Sequence, residues 1–245
     1  LAVIDIQGDY TPDTEGTDEE KMRLPMVSEA VAYVKDELSP NSSYGACYFP
    51  WVQIKDDFSS NQLWVPPSVV ALGTFSYTKK NSAVWFAPAG FNRGGLSGPN
   101  RSSGLNVINS RMGLTVKERD ALYEVGINPI AKFPAEGVVV FGQKTLQQTP
   151  SALDRINVRR LMNFVKKEIS RFATTVLFDP NVQVTWDRFT GKANPFLNSV
   201  KTGLGVTDYK IVLDKTTTGI IIIGLVVTSF KLSGIIIFLF LFKHE

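Results

Sequence analysis

Apolar and polar positions along this chain fall into short blocks that alternate between a strand period of two and a helical period. Residues 1–6 (LAVIDI) alternate and run out before Gly8, the pattern of a strand reaching a turn. TDEEKMRLPMVSEAVAYVKDEL then offers Thr17 as an N-cap with Glu20 at the capping-box position. Val27, Ala30, Val31 and Val34 follow at helical spacing, so a helix is expected, irregular near Pro25. Residues 44–54 are aromatic and β-branched and predict one central strand. Pro66 and Pro67 stand where a helix begins, ahead of SVVALGTFSYT. Between positions 87 and 113 the period vanishes, and APAGFNRGGLSGPNRSSG, rich in Gly, Pro, Ser and Asn, predicts a long surface loop or linker.

The second half resumes the alternation. LTVKERDALYEVG carries Thr115 as N-cap, Glu118 as its capping-box partner and Gly126 as a stop. INPIAKF and GVVVFGQKTL predict a hairpin turning at 134–137. After Pro150 a long helix is expected, capped by Ser151 and favoured at its start by Asp154. Its apolar stripe is Val158, Leu161, Met162, Val165, Ile169, Phe172 and Ala173. Arg155, Arg159, Arg160, Lys166, Lys167 and Arg171 lie largely off that stripe, as a solvated face or as a surface for an acidic partner. A further helix is expected over 194–201, ending near Gly203 or Gly205, and VTDYKIVL alternates as a strand. Strands alternating with helices, without internal repeats, make an α/β (α+β) fold.

The tail raises a separate question. Seventeen of the 24 residues at 219–242 are large and apolar, enough to span a bilayer by count. TSFKLSG interrupts them in the middle, and a lysine near a bilayer centre costs about 2.5–3.5 kcal/mol. Two runs of about nine residues remain, rich in Ile, Val and Phe, and we expect two buried strands; a membrane anchor at 219–242 is the alternative. An apolar strand pair at the end of a chain needs covering, which calls for a partner that adds or receives a strand.

Composition narrows the function. With 44% hydrophobic and 11% aromatic residues in 245, a sizeable core is expected. The 26 basic residues are interspersed with 23 acidic ones for a net charge of +3, so no polybasic block points to nucleic acid or to a membrane surface. Cys47 is the single cysteine, which rules out an internal disulfide and fits folding in a reducing compartment. LAVIDI lacks the basic start of a signal peptide, and a chain that begins at Leu1 reads as a fragment.

Catalytic constellations are missing from the pattern. The one histidine, His244, is next to last, a poor place for a catalytic base. One Cys and one His do not make the usual zinc sets, and no run of Asp and Asn resembles a calcium loop. GVVVFGQK departs from a phosphate loop because Gln143 separates the second glycine from Lys144. The acidic runs at 18–20 and 56–57 fit helix-start and turn positions. We therefore expect no enzyme and no cofactor.

Taken together, SSYGACYFPWVQIKD, WVPPSVVALGTFSYT, AVWFAPAG and RGGL resemble the tail sheath proteins of contractile-tailed bacteriophages. ERDALYEVGINPIAKFPAEGVVVFGQKTL, SALDRINVRRLMNFVKKEI and GVTDYKIV continue the likeness in the same order, through residues 42–213, with the T4-like branch nearest. The resemblance implies a mixed β-sheet packed with helices, whose extended N- and C-terminal strands are exchanged with neighbouring subunits. It implies an N-terminal part of the sheath core at 1–113, a C-terminal sheath domain at 114–218 and a C-terminal arm at 219–245. Its members stack as six-fold rings around an inner tail tube and contract to drive that tube through the host envelope. The partners implied are other copies of the chain, the tube protein, and the baseplate and tail terminator proteins, with neither nucleic acid nor membrane. The place implied is the virion tail, assembled in the host cytoplasm; a phage-derived bacterial injection device, a tailocin, would use the same mechanics.

Candidate inter-subunit strand positions are Leu1, Val3, Asp5, Ile220, Ile222, Ile235, Ile237, Leu239 and Leu241. Candidate tube or subunit contacts are Arg155, Arg159, Arg160, Lys166, Arg188, Lys192 and Lys201, with Trp186 beside them. The helix over 194–201 is expected to face the tube. The tail departs from the family pattern, in which polar residues and then strands with Pro and charges follow VTDYKIVLDKTTT.

Overall fold

A computed structural model describes residues 1–6, 26–38, 41–57, 61–98, 101–180, 182–212, 222–229 and 232–240. The chain divides into two compact units, Leu1–Arg159 and Arg160–Glu245.

The first unit is built on a four-stranded sheet of β1 (Ala2–Asp5), β2 (Gly45–Phe49), β6 (Ile127–Phe133) and β7 (Gly137–Val140), in that order. β1, β2 and β6 run parallel, and β7 returns antiparallel from β6 as the expected hairpin. Every residue of β2 is buried, the signature of a strand covered on both faces. Its side chains feed two cores in turn. Ala46 and Tyr48 join Val70, Leu96, Ile130 and Val140, whereas Cys47 and Phe49 join Ala30, Leu122, Ile127 and Leu146.

A second, antiparallel sheet holds β4 (Gln62–Val65), β3 (Val52–Lys55) and β5 (Asn106–Ser110), with β3 in the centre. The single strand expected over 44–54 is thus two strands in different sheets. The break falls at Pro50, which has no N–H to continue a ladder.

Three helices pack in this unit. α1 (Val27–Tyr33) continues into a π-helical turn, Val34–Leu38, and buries Ala30 and Val34. Its expected capping pair, Thr17 and Glu20, lies outside the described residues. α2 (Pro67–Asn81) starts with proline at its first position, as expected. α3 (Val116–Glu124) has the expected capping box: the Thr115 N–H donates to Glu118 Oε2 at 2.7 Å, and the Glu118 N–H donates back to Thr115 Oγ1 at 3.4 Å. The Thr115 hydroxyl, which also donates to Glu118 Oε2 at 2.6 Å, and then the Thr115 N–H hold the Glu118 carboxyl below its ordinary value. Gly126 ends the turn at φ +87°, a left-handed geometry that favours glycine.

Residues 87–113 correct the expectation of a linker. Leu96 is fully buried, Gly95 bridges Val139, and the Leu96 and Val140 N–H groups bond to the carbonyls of Val138 and Gly94, each at 2.8 Å. This glycine density serves close approach, because a Cβ on Gly94 would stand 2.6 Å from the Val140 carbonyl oxygen.

The second unit takes most of α4 (Ile156–Thr174), which starts in the first, together with α5 (Gln183–Thr202) and a three-stranded antiparallel sheet. Ser151 caps a short 3₁₀ turn, Ala152–Asp154, rather than α4 itself. α4 buries Leu161, Met162, Val165, Ile169 and Ala173, as its stripe requires. Phe196 of α5 meets Phe164 and Phe172 of α4, both at 5.7 Å between ring centres. α5 is far longer than the helix expected over 194–201. Gly191 and Pro195 conceal its first half, although Phe189, Ala193, Leu197 and Val200 make one buried face through both. The sheet is β8 (Asp208–Val212), β9 (Ile222–Ser229) and β10 (Leu232–Phe240), with β9 in the middle. The tail therefore forms the two expected strands, and among the described residues no helix is long and apolar enough to cross a membrane.

Candidate assembly surfaces

Strand ends come first, because they were the expected points of exchange. β1 lies in its own chain's sheet, in parallel register from Ala2 opposite Gly45 to Asp5 opposite Tyr48. Leu1 and Val3 pack on one core cluster and Ile4 on the other. Asp5 is engaged at the start of α2: the Ser68 N–H donates to Oδ1 at 3.0 Å and the Ser68 hydroxyl to Oδ2 at 2.6 Å. It supplies the side-chain acceptor that Pro66, at the N-cap, lacks. Within the single chain, Leu1 and Val3 therefore pack on its own core and Asp5 on its own helix α2.

In the tail, Ile222 pairs with Val212 of β8 and Phe240 of β10, while Ile235, Ile237 and Leu239 pair with Val227, Leu225 and Ile223. Ile220 and Leu241 lie outside the described residues. β9 is therefore flanked on both sides within the chain, whereas the outer edges of β8 and β10 have no partner strand among the described residues. Such edges are templates for a further strand.

The basic candidates separate by burial. Arg159 is only 7% exposed, which removes it from the solvated face expected for it. Its guanidinium lies 4.1 Å from the Tyr44 ring centre and donates to the Ser43 hydroxyl. Burial lowers its pKa. Arg155 and Arg160 are half-buried, and Lys166, Lys167 and Arg171 are exposed, Arg171 pairing with Glu168 at 2.8 Å.

On α5 and beside it, each candidate cation has a partner in its own unit. Arg188 meets Asp179 at 2.6 Å, Lys192 donates to the Thr175 hydroxyl at 2.9 Å, and Lys201 meets Asp208 at 2.9 Å. The Lys201 bond holds the Asp208 carboxyl below its ordinary value. These contacts are exposed, and water competes with them, so exchange for another partner costs little. Trp186 is half-buried on the same helix.

Two apolar surface features escaped the period-based reading, because they lie in or beside loops. Phe91, Phe133 and Phe141 form a ring cluster with centroid distances of 4.9–5.6 Å, and Arg119 stacks over Phe133 and Phe141. Between α4 and α5, Phe178 is 97% exposed at φ +70°, and Leu177, Val182 and, at the start of α5, Val184 are exposed as well. Among the described residues no acidic, His or Cys cluster could hold a metal ion.

The tail sheath protein of Vibrio phage KVP40 is 37% identical over 183 residues, 75% of this chain and 26% of that protein. That of Enterobacteria phage T4 is 33% identical over 187 residues, 76% of this chain and 27% of the relative. Over three-quarters of its length this chain is thus similar to tail sheath proteins. It spans about a quarter of the length of these curated relatives. No protein-family model matches it. Sheath structures share its fold: the sheath of the extracellular contractile injection system PVC, in the contracted state, aligns with a TM-score of 0.64 at 24% identity over 93% of this chain and 61% of that one. A sheath tail protein from Listeria innocua aligns at a TM-score of 0.57 and 12% identity, over 94% of this chain and 54% of that one. At those identities the likeness speaks for the fold, an α/β arrangement of mixed sheets and helices.

Proposed function

We propose that this chain is a structural subunit of a contractile tail sheath, assembling in stacked six-fold rings around an inner tube and contracting to drive it through the host envelope. The observation that carries this reading is identity of 33–37%, over three-quarters of the chain, to proteins named tail sheath protein. The work is assembly and rearrangement, not catalysis. Its partners are further copies of itself, the tube, and the baseplate and terminator proteins, and its place is the virion tail after assembly in the host cytoplasm.

For the division of labour we propose a sheath core at 1–113, a C-terminal domain at 114–218 and an arm at 219–245, with the four-stranded sheet joining β1 and β2 to β6 and β7 across the first of these bounds. The edges of β8 and β10, which have no partner strand among the described residues, support strand addition between neighbours. Contraction needs contacts that persist and contacts that are traded. Backbone ladders suit the first role, and exposed pairs such as Arg188 with Asp179 suit the second. We assign α5 to the tube side, where Arg188, Lys192 and Lys201 can leave their present partners.

Sedimentation of the chain expressed alone tests the reading. Large polymers whose size rises with protein concentration are expected. A strictly monomeric species at every concentration would overturn it.

A further inference from the structure

Lys144, just past β7, and Arg155, just before α4, face each other across an isolated antiparallel bridge. The bridge is fixed by the Ile156 N–H on the Gln143 carbonyl and the Thr145 N–H on the Asp154 carbonyl, each at 2.9 Å. Like charges directly opposite one another weaken such a pair. Here both also converge on one phenol. Lys144 Nζ is 4.6 Å from the Tyr123 ring centre and Arg155 Cζ is 5.8 Å from it, while Arg155 Nη1 donates to the Tyr123 hydroxyl.

The local anions neutralise only the arginine of this pair. Asp154 Oδ1 is 3.2 Å from Arg155 Nε, so its contact is with the arginine. Among the described residues no carboxylate lies within ion-pair distance of Lys144, which is half-buried over the ring. Burial and then the Arg155 charge lower the Lys144 pKa, outweighing the opposing pull of Asp154 and Glu124. A fold that sets two half-buried cations against each other on an aromatic face is prepared for an anion from outside.

We propose that Lys144 and Arg155, on the Tyr123 ring, form a docking site for a carboxylate of a second copy of this chain. Charge complementarity selects the occupant. Asp36 and Glu37, on the π-helical turn, and Glu136, between β6 and β7, are exposed carboxylates with no partner among the described residues. A cation site and a free carboxylate on one chain permit a head-to-tail contact, the kind that closes rings. The proposal rests on the self-assembly reading.

Sedimentation at fixed salt compares the full chain with Lys144→Gln and Lys144→Arg, and thermal unfolding is measured at concentrations where each is unassociated. For Lys144→Gln, half-association should need about tenfold more protein, the loss of one good ion pair. The isolated subunit should melt at the same temperature or higher, because a repulsion has been removed. Lys144→Arg should associate like the parent chain. Unchanged association of Lys144→Gln would overturn the proposal, as would a lowered melting temperature, which would make Lys144 a structural group. If inorganic phosphate protects Lys144 from acetylation while Lys144→Gln associates normally, the site serves a free anion and the second-copy occupant is refuted. Failure of the parent chain to associate would instead count against the sheath reading itself.

Discussion

Replacing Asp5 by alanine should destabilise the isolated subunit, because β1 belongs to its own chain. The carboxylate takes two bonds from Ser68, at 3.0 and 2.6 Å, at the start of α2. Capping residues contribute about 0.5–2 kcal/mol, and a negative charge at a helix N-terminus adds about 0.3–1 kcal/mol. The site is part-buried, so water replaces some of what is lost, and we take about 2 kcal/mol for the whole change. In a domain of this size, that corresponds to a melting-temperature drop of about 4–8 °C. Asp5→Asn keeps an acceptor without the charge and should lose about half as much. Urea titration below the association threshold, followed by circular dichroism, measures both. Stability equal to the parent chain's in the unassociated subunit, together with a loss confined to assemblies, would refute the reasoning and make β1 an exchanged arm.

Three further outcomes follow from the packing. Gly73→Ala would gain about 1 kcal/mol from helix propensity elsewhere, but here its Cβ would meet the Ser103 carbonyl oxygen at 2.4 Å and Cα at 2.8 Å, so a net loss of about 1–2 kcal/mol is expected in urea titration; a gain would show that α2 does not lie against this segment. Glu118 has its carboxyl depressed by Thr115, so its contribution to stability is complete above the ordinary carboxylate range and disappears as pH falls through the lowered value. Carboxyl carbon NMR should place Glu118 below the other glutamates and return it to them in Thr115→Ala; no change in that variant would remove the capping box. The Cys47 thiol is pushed up to about 12, chiefly by burial and then by the Asp5 charge, so thiol reagents should label it only on unfolding; rapid labelling of the native chain would contradict the β2 core.

What the sequence disclosed depended on whether local chemistry decided the structure. α3 was legible because its start and stop are both signed by residues that act locally, Thr115, Glu118 and Gly126. The hairpin of β6 and β7 and the two tail strands were legible from apolar runs of strand length. Tertiary contacts settled the rest. Gly94 looks like loop material until the approach of Val140 gives its missing side chain a purpose. Gly191 and Pro195 weaken α5 locally, but a face of buried residues holds it through both. Pro50 divides a run that composition alone reads as one strand.

The assembly surfaces were less legible, and for related reasons. Arg159 shares a helix with exposed cations, yet the ring that covers it, Tyr44, comes from a distant part of the chain. Arg155 was among the expected contacts, whereas Lys144 stood out only for missing a phosphate-loop position. Only a cross-strand bridge brings the two together, and no spacing rule along a single element anticipates it.

The most direct test of the sheath account is negative-stain electron microscopy of the full chain, expressed without detergent, beside a version ending at Thr218. The account predicts rings or tubes with six-fold symmetry from the full chain and unassociated particles from the shorter one. Isolated particles from both, or particles that need detergent until residues 219–245 are removed, would contradict it.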